Sequence, residues 1–118
     1  MKKSVLTFAA FAEAATGLAL LIVPSFVGQA LFGQELIGIA LPVARVAGIA
    51  LIGLGVACWP GPALIGMLTY NAGVALYLSL VGITGDSTGA LLWPVVGLHA
   101  ILTALLSWAY ARGKATSV

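Results

Sequence analysis

The chain has 118 residues, of which 62% are hydrophobic and 7% are charged, and its mean hydropathy is +1.17. Soluble domains carry about 25% charged residues, so this composition excludes an ordinary soluble domain and predicts an integral membrane protein. The net charge is only +2, and no basic patch indicates a nucleic-acid partner. Cys58 is the single cysteine, which excludes an internal disulfide or a CxxC redox pair.

Four apolar segments are each long enough to cross a hydrocarbon core of about 30 Å as a helix. They lie at about residues 4–23, 36–58, 63–83 and 89–111. The sequence therefore predicts an all-α, polytopic membrane protein: a single domain, residues 1–118, with four transmembrane helices in an up-down bundle. The apolar connection 24–35 predicts a short interfacial helix between the first two spans.

The distribution of charge predicts the orientation of the chain. Basic residues flank both termini, whereas the two loops on the opposite side contain Glu35 and Asp86 and no Lys or Arg. Cytoplasmic segments of membrane proteins carry an excess of basic residues. We therefore expect a multi-pass protein of the bacterial inner membrane with both termini in the cytoplasm.

Prolines and small residues mark the second and fourth predicted spans. Pro42 and Pro94 each lie about one turn inside the outer end of a span, where a proline is expected to kink the helix. Small residues at positions 40, 44 and 48 form a ladder with i, i+4 spacing, which lets helices approach closely. The ladder would serve packing within the bundle or a homo-oligomer, and the internal use is favoured.

Each predicted span contains one strongly polar residue at a similar distance from its ends. Counted in this way, Glu13, Arg45, Asn71 and His99 all fall near the middle of the bilayer. Ionisable groups at that depth are costly and usually functional, so we expect the four side chains to converge. With the two tyrosines of the third span, the candidate ligand-binding residues are Glu13, Arg45, Tyr70, Asn71, Tyr77 and His99.

Glu13 and Arg45 are predicted to form a buried ion pair, because each is the only full charge at the middle of its span. Such a network either fixes helix register or binds a small molecule, a proton or a quinone, and both readings stay open. His99 is a weak signal for a metal, and a bis-histidine haem would need a second histidine from another subunit. The sequence indicates no metal site and no catalytic residue.

The segment FAEAATG around Glu13, in a short chain with four spans, resembles the small multidrug resistance transporters. The first helix of those transporters carries an essential membrane-embedded glutamate, so the resemblance implies proton-coupled transport of small molecules. Arg45 and His99 depart from that pattern, and pairing with Arg45 would spoil Glu13 as a proton-exchanging cation site. The resemblance is therefore the less favoured of two.

A second resemblance covers most of the chain. A first span ending at Pro24, an apolar segment through Phe32 and Gly33, and a glycine-rich span containing Arg45-Val-Ala-Gly48 resemble the DoxX-like group of small four-helix bacterial membrane proteins. Members of that group are associated with oxidoreductase and quinone-linked complexes. The resemblance implies an accessory role, or one on the quinone side of such a complex, and it names no catalytic residue.

The sequence thus favours a non-enzymatic subunit, in contact with the lipid bilayer, that binds a small lipophilic ligand such as a quinone. The alternatives are a proton-coupled small-molecule transporter and a purely structural subunit of a larger membrane complex. A membrane-protein partner or a homo-oligomer fits each of these readings, and a quinone is the only cofactor suggested.

Overall fold

The computed structural model describes residues 2–59, 62–85 and 88–116, and these residues contain α-helices and no strand. The helices are α1 (Lys2–Ile22), α2 (Pro24–Phe32), α3 (Ala40–Cys58), α4 (Ala63–Thr84) and α5 (Leu92–Thr116). Four of them contain a segment long and apolar enough to cross a membrane, namely Ser4–Ile22, Ala40–Cys58, Ala63–Thr84 and Leu92–Gly113. The all-α prediction with four long apolar helices is confirmed.

The short connection between the first two spans forms the helix α2, as predicted. Pro24 is its first residue, a position that suits proline because the first helical N–H needs no partner within the helix. Gly33 ends α2 in the left-handed conformation with φ of 75°, and its N–H donates to the carbonyl of Gln29 at 3.0 Å. Ser25 Oγ donates to the carbonyl of Leu36 at 2.8 Å, and this hydrogen bond holds the loop after α2 against the start of α2.

The second long helix begins later than the sequence predicted, at Ala40 instead of residue 36. Gly38 has φ of 60°, which interrupts any helix at that point. Pro42 and Pro94 are each the third residue of a helix, in the first turn. A proline is tolerated there because it removes no internal hydrogen bond, so the predicted kinks in α3 and α5 are wrong.

The four long helices form an open row in the order α1, α3, α4, α5, instead of a closed bundle. Neighbours in the row run antiparallel, as the up-down prediction requires, since residues in contact rise in number along one helix as they fall along the next. Each long helix packs on no other long helix than its neighbours in the row, and no contact joins α1 to α5 within the described residues. The molecule is correspondingly flat, with principal dimensions of 50 × 39 × 16 Å. This arrangement leaves two broad faces, and side chains on different helices meet only if their helices are neighbours.

Glycines set the closest approach between neighbouring helices. A Cβ atom built on Gly17 would lie 2.5 Å from the carbonyl oxygen of Gly48, and one built on Gly48 would lie 2.5 Å from that of Gly17. The backbones of α1 and α3 therefore touch directly at this crossing. Gly53 and Gly66 play the same reciprocal role between α3 and α4. Gly48 of the small-residue ladder thus packs against α1 of the same chain, which agrees with the internal use that the sequence favoured.

Candidate functional site

Arg45 lies near one end of the molecule and not at its centre. It is five residues after the start of α3, at the end where α1 finishes and α2 follows, which we call the α2 side. The sequence-based depth was wrong because it counted from residue 36, four residues before the helix begins. The side chain is half-buried, and its Nε donates a hydrogen bond to the carbonyl oxygen of Leu21 at 3.2 Å.

The partner of Arg45 is the carboxyl end of α1. Leu21 is the second-last residue of α1, where carbonyl groups run out of helical N–H partners. The carboxyl end of a helix also carries a partial negative charge that favours a nearby cation. Arg45 therefore caps α1 from the neighbouring helix, a structural role that the sequence analysis did not foresee.

The predicted ion pair between Glu13 and Arg45 is wrong. Within the described residues Glu13 makes no ion pair or hydrogen bond through its side chain, and no charged residue is buried. Glu13 precedes Leu21 by eight residues on α1, and at about 1.5 Å per residue this places it about 12 Å along the helix axis from the level of Arg45. Glu13 is half-buried, on the other half of α1.

A double-mutant cycle would test this separation. Glu13→Gln and Arg45→Met should change the free energy of unfolding in detergent independently, because distant sites add to within about 0.5 kcal/mol. Arg45→Met should be the more harmful change, since it removes the hydrogen bond to Leu21. The measurement is denaturant unfolding of both single variants and the double variant. A coupling energy above about 1 kcal/mol would contradict the separation of the two residues.

A cavity of about 310 Å³ opens beside Arg45, between α3 and α4 on the α2 side. It combines the guanidinium with the phenol of Tyr77 and with apolar wall residues, and it is lined by Gly38, Leu41, Pro42, Arg45, Tyr77, Leu80, Val81 and Thr84. Of the six candidates that were expected to converge, Arg45 and Tyr77 line this cavity and the other four do not. We call this space the Arg45 cavity.

Most of the hydrogen-bonding capacity in the Arg45 cavity belongs to Arg45. The N–H groups of Ala40 and Leu41 donate to the carbonyls of Ile37 and Gly38, at 3.2 and 3.1 Å, and residue 42 is a proline. Thr84 Oγ1 donates to the carbonyl of Val81 at 3.0 Å. The cavity therefore combines a positive guanidinium and a phenol with apolar lining residues. This combination suits an amphiphilic molecule whose polar head accepts hydrogen bonds.

Tyr70 and His99 form a second polar pair, between α4 and α5. Their ring centroids are 5.8 Å apart, with an interplanar angle of 67°, which is an edge-on contact. His99 Nδ1 lies 2.9 Å from the carbonyl oxygen of Val95. Since a carbonyl only accepts, Nδ1 carries the proton and a neutral ring keeps Nε2 as an acceptor. Tyr70 also lines a separate cavity of about 260 Å³ between α3 and α4.

Asn71 stands apart from both pairs. Its side chain is 1% exposed and is the only buried polar one among the described residues. Asn71 Nδ2 donates to the carbonyl of Met67 in its own helix at 2.8 Å. The structure thus divides the six predicted residues into two pairs and two isolated side chains.

Several residues of the Arg45 cavity were missed from sequence. Tyr77 and Thr84 are seven residues apart on α4, and Gly38, Leu41 and Arg45 follow helical spacing across the start of α3. That spacing was a usable signal. It was overlooked because the apolar members look like lipid-facing residues until the pairing of α3 with α4 is known.

No group of three or more His, Cys, Asp or Glu side chains in the described part of the chain could hold a metal ion. Comparisons with protein-family models, with curated proteins and with solved structures found no match. The fold and the cavity therefore define the class by themselves: in its described residues the protein is all-α, with four helices apolar enough to cross a membrane and a cationic cavity near their ends. The resemblance to the DoxX-like group stays a prediction.

Proposed function

We propose that this protein is a multi-pass membrane protein that binds a small lipophilic ligand in the Arg45 cavity. One observation carries the proposal: a guanidinium lines an open, otherwise mainly apolar cavity and uses only its Nε–H on a protein partner among the described residues. The N–H groups of a guanidinium that have no protein partner can donate to an acceptor on a ligand. A quinone fits this description, because it has carbonyl acceptors on an apolar ring.

Thermal stability with and without a quinone analogue tests the proposal. At a concentration of 100 times Kd, a ligand specific for the folded protein stabilises it by about 2.7 kcal/mol. Tyr77→Phe should weaken the shift because it removes the phenol from the Arg45 cavity. Tyr70→Phe is the matched control, since Tyr70 does not line that cavity, and it should retain the wild-type shift. Equal losses in the two variants would contradict binding in the Arg45 cavity, and no shift in wild type would exclude a quinone as its ligand.

Proton-coupled transport is the second candidate, and one observation favours it. Glu13 is not neutralised by Arg45, so its carboxylate is available to exchange a proton for a cation. Stabilisation by lipophilic cations that is lost in Glu13→Gln would support transport and would be independent of Tyr77.

The third candidate is a purely structural subunit, in which Arg45 only caps α1. This candidate predicts that no ligand changes the stability of the protein.

We further propose that the α2 side faces outward and both termini lie in the cytoplasm of a bacterial cell, because the basic residues flank the termini. A cysteine replacing Thr88 in a Cys58→Ser background should react with a membrane-impermeant maleimide in intact cells. A cysteine replacing Gly113 should react only after the membrane is opened. The reverse pattern would place the Arg45 cavity on the cytoplasmic side.

A further inference from the structure

The charge of Arg45 lacks a counter-ion among the described residues. A guanidinium stays protonated in proteins, so the positive charge is permanent. Arg45 Nε–H donates to the carbonyl of Leu21. The four N–H groups on its two terminal nitrogens donate to no other residue in the described part of the chain. A carbonyl dipole offsets a full charge only in part. The Arg45 side chain also lines the Arg45 cavity, which puts a ligand in that cavity within reach of these donors.

The acidic residues of the chain do not supply the missing charge within the described part. Glu13 lies about 12 Å away along the helix axis. Glu35 is exposed in the connection between α2 and α3, with no ion pair to Arg45. Asp86 lies outside the described residues, so it enters the test below as a competitor for Arg45.

Resting on the proposed function, we propose that the ligand head in the Arg45 cavity is an anion, a carboxylate or a phosphate, carried on an apolar chain. The two terminal nitrogens of a guanidinium present parallel donors that match the two oxygens of such a group. Hydrogen bonds between charged partners are roughly twice as strong as neutral ones. A neutral head would accept hydrogen bonds from Arg45 without the added attraction between opposite charges, so an anionic head is the stronger partner.

The apolar chain is inferred from the cavity walls. Leu41, Leu80 and Val81 line the cavity beside the guanidinium, and they would contact the first carbons after the anionic head. The cavity volume of about 310 Å³ holds a head group and a short piece of chain. Leu80 is also 60% exposed, so the rest of the chain can run outward along α4. The same chemistry occurs in a phospholipid and in a single-chain amphiphile.

The experiment measures the melting temperature of the full-length protein in a neutral maltoside detergent. The probes are dodecanoate, dodecyl phosphate, the neutral dodecanol, inorganic phosphate without a chain, and phosphatidylglycerol. We expect at least one chain-bearing anion to bind about tenfold more tightly than dodecanol. A charged hydrogen bond contributes about 1.4 kcal/mol more than a neutral one, and this difference is a factor of ten in affinity. A shift with phosphatidylglycerol identifies a bilayer lipid, and a shift with only the single-chain anions identifies a free amphiphile; both support the inference.

Variants make the result specific to Arg45. Arg45→Gln keeps a donor for Leu21 without the charge, and it should bind dodecanoate and dodecanol equally. Arg45→Lys keeps the charge and loses the fork of donors, so it should bind the anion with intermediate affinity. Because an Arg45 variant can fail to fold, Tyr77→Phe is measured as a second variant. We expect it to bind the anion more weakly than wild type and to keep the same preference for the anion over dodecanol.

Three results would overturn the inference: no shift with any chain-bearing anion, equal shifts with dodecanol, or a shift with inorganic phosphate alone. A chain-bearing anion that binds only in Asp86→Asn would also overturn it, because Asp86 would then be the counter-ion. The same measurements distinguish failure of this inference from failure of the proposed function.

If a quinone binds and no anion does, the proposed function is supported and the anionic head is excluded. If neither a quinone nor any amphiphile shifts the melting temperature, the proposed function and the anionic head are both excluded.

Discussion

Gly48→Ala should lower the free energy of unfolding by about 1–3 kcal/mol, the usual cost of forcing extra atoms into a packed site. The added Cβ would lie 2.5 Å from the carbonyl oxygen of Gly17, and a backbone atom cannot rotate away as a side chain can. The crossing of α1 with α3 must therefore open, which also moves Arg45 away from Leu21. Denaturant unfolding in detergent measures the loss, and Gly48→Val should lose more.

Two other glycines provide a graded control for this prediction. At Gly73 the nearest atom to an added Cβ is a methyl group of Ile49, at 2.8 Å, which can move, so Gly73→Ala should cost less than Gly48→Ala. At Gly97 nothing lies within 4 Å. Gly97→Ala should be neutral or should stabilise α5 by up to about 1 kcal/mol, the difference in helix propensity. Equal losses at all three positions would show that the helix crossing is not as close as described.

The second large effect is expected at Asn71. Asn71→Asp should destabilise the protein by about 3–5 kcal/mol, because it places an uncompensated charge at a position that is 1% exposed. The change also replaces the donor Nδ2 with an oxygen that faces the carbonyl of Met67, so an attraction becomes a repulsion. The measurement is the unfolding free energy at neutral pH.

Asn71→Leu is the matched control, with a similar volume and no polar atom. It loses one hydrogen bond within α4, worth about 1 kcal/mol, while a helical carbonyl such as that of Met67 keeps its backbone partner. We therefore expect a small change in stability. If Leu were as harmful as Asp, the amide of Asn71 would have a role in the core beyond that hydrogen bond. If Asp were harmless, the site would be open to water.

The open row determines how the polar side chains can act together. In a closed bundle of four helices, a residue on α1 could approach one on α5. Among the residues that the structure describes, α1 contacts α3 and α2 only, so Glu13 and His99 do not share a site in this row. The Arg45 cavity and the pair of Tyr70 and His99 are separate features that require separate tests.

The sequence by itself determined the class of fold. Long apolar segments predict helices because the backbone must satisfy its own hydrogen bonds where water is absent. This local rule correctly gave four long helices. The apolar connection 24–35 gave the short α2, and the spacing of small residues gave the close contact of α3 at Gly48. It also placed Arg45 and Tyr77 among the candidate residues, because charged and phenolic groups are unusual within apolar segments.

Only the tertiary structure decided which polar residues meet. Gly38, with its positive φ, moves the start of α3 to Ala40. The crossing of Gly48 with Gly17 sets the register that places Arg45 against the end of α1 instead of beside Glu13. The order of the helices in the row then brings Tyr77 to Arg45, and Tyr70 to His99. Depth counted along each helix cannot supply this information, because contact between side chains depends on the register and rotation of neighbouring helices, which their packing fixes.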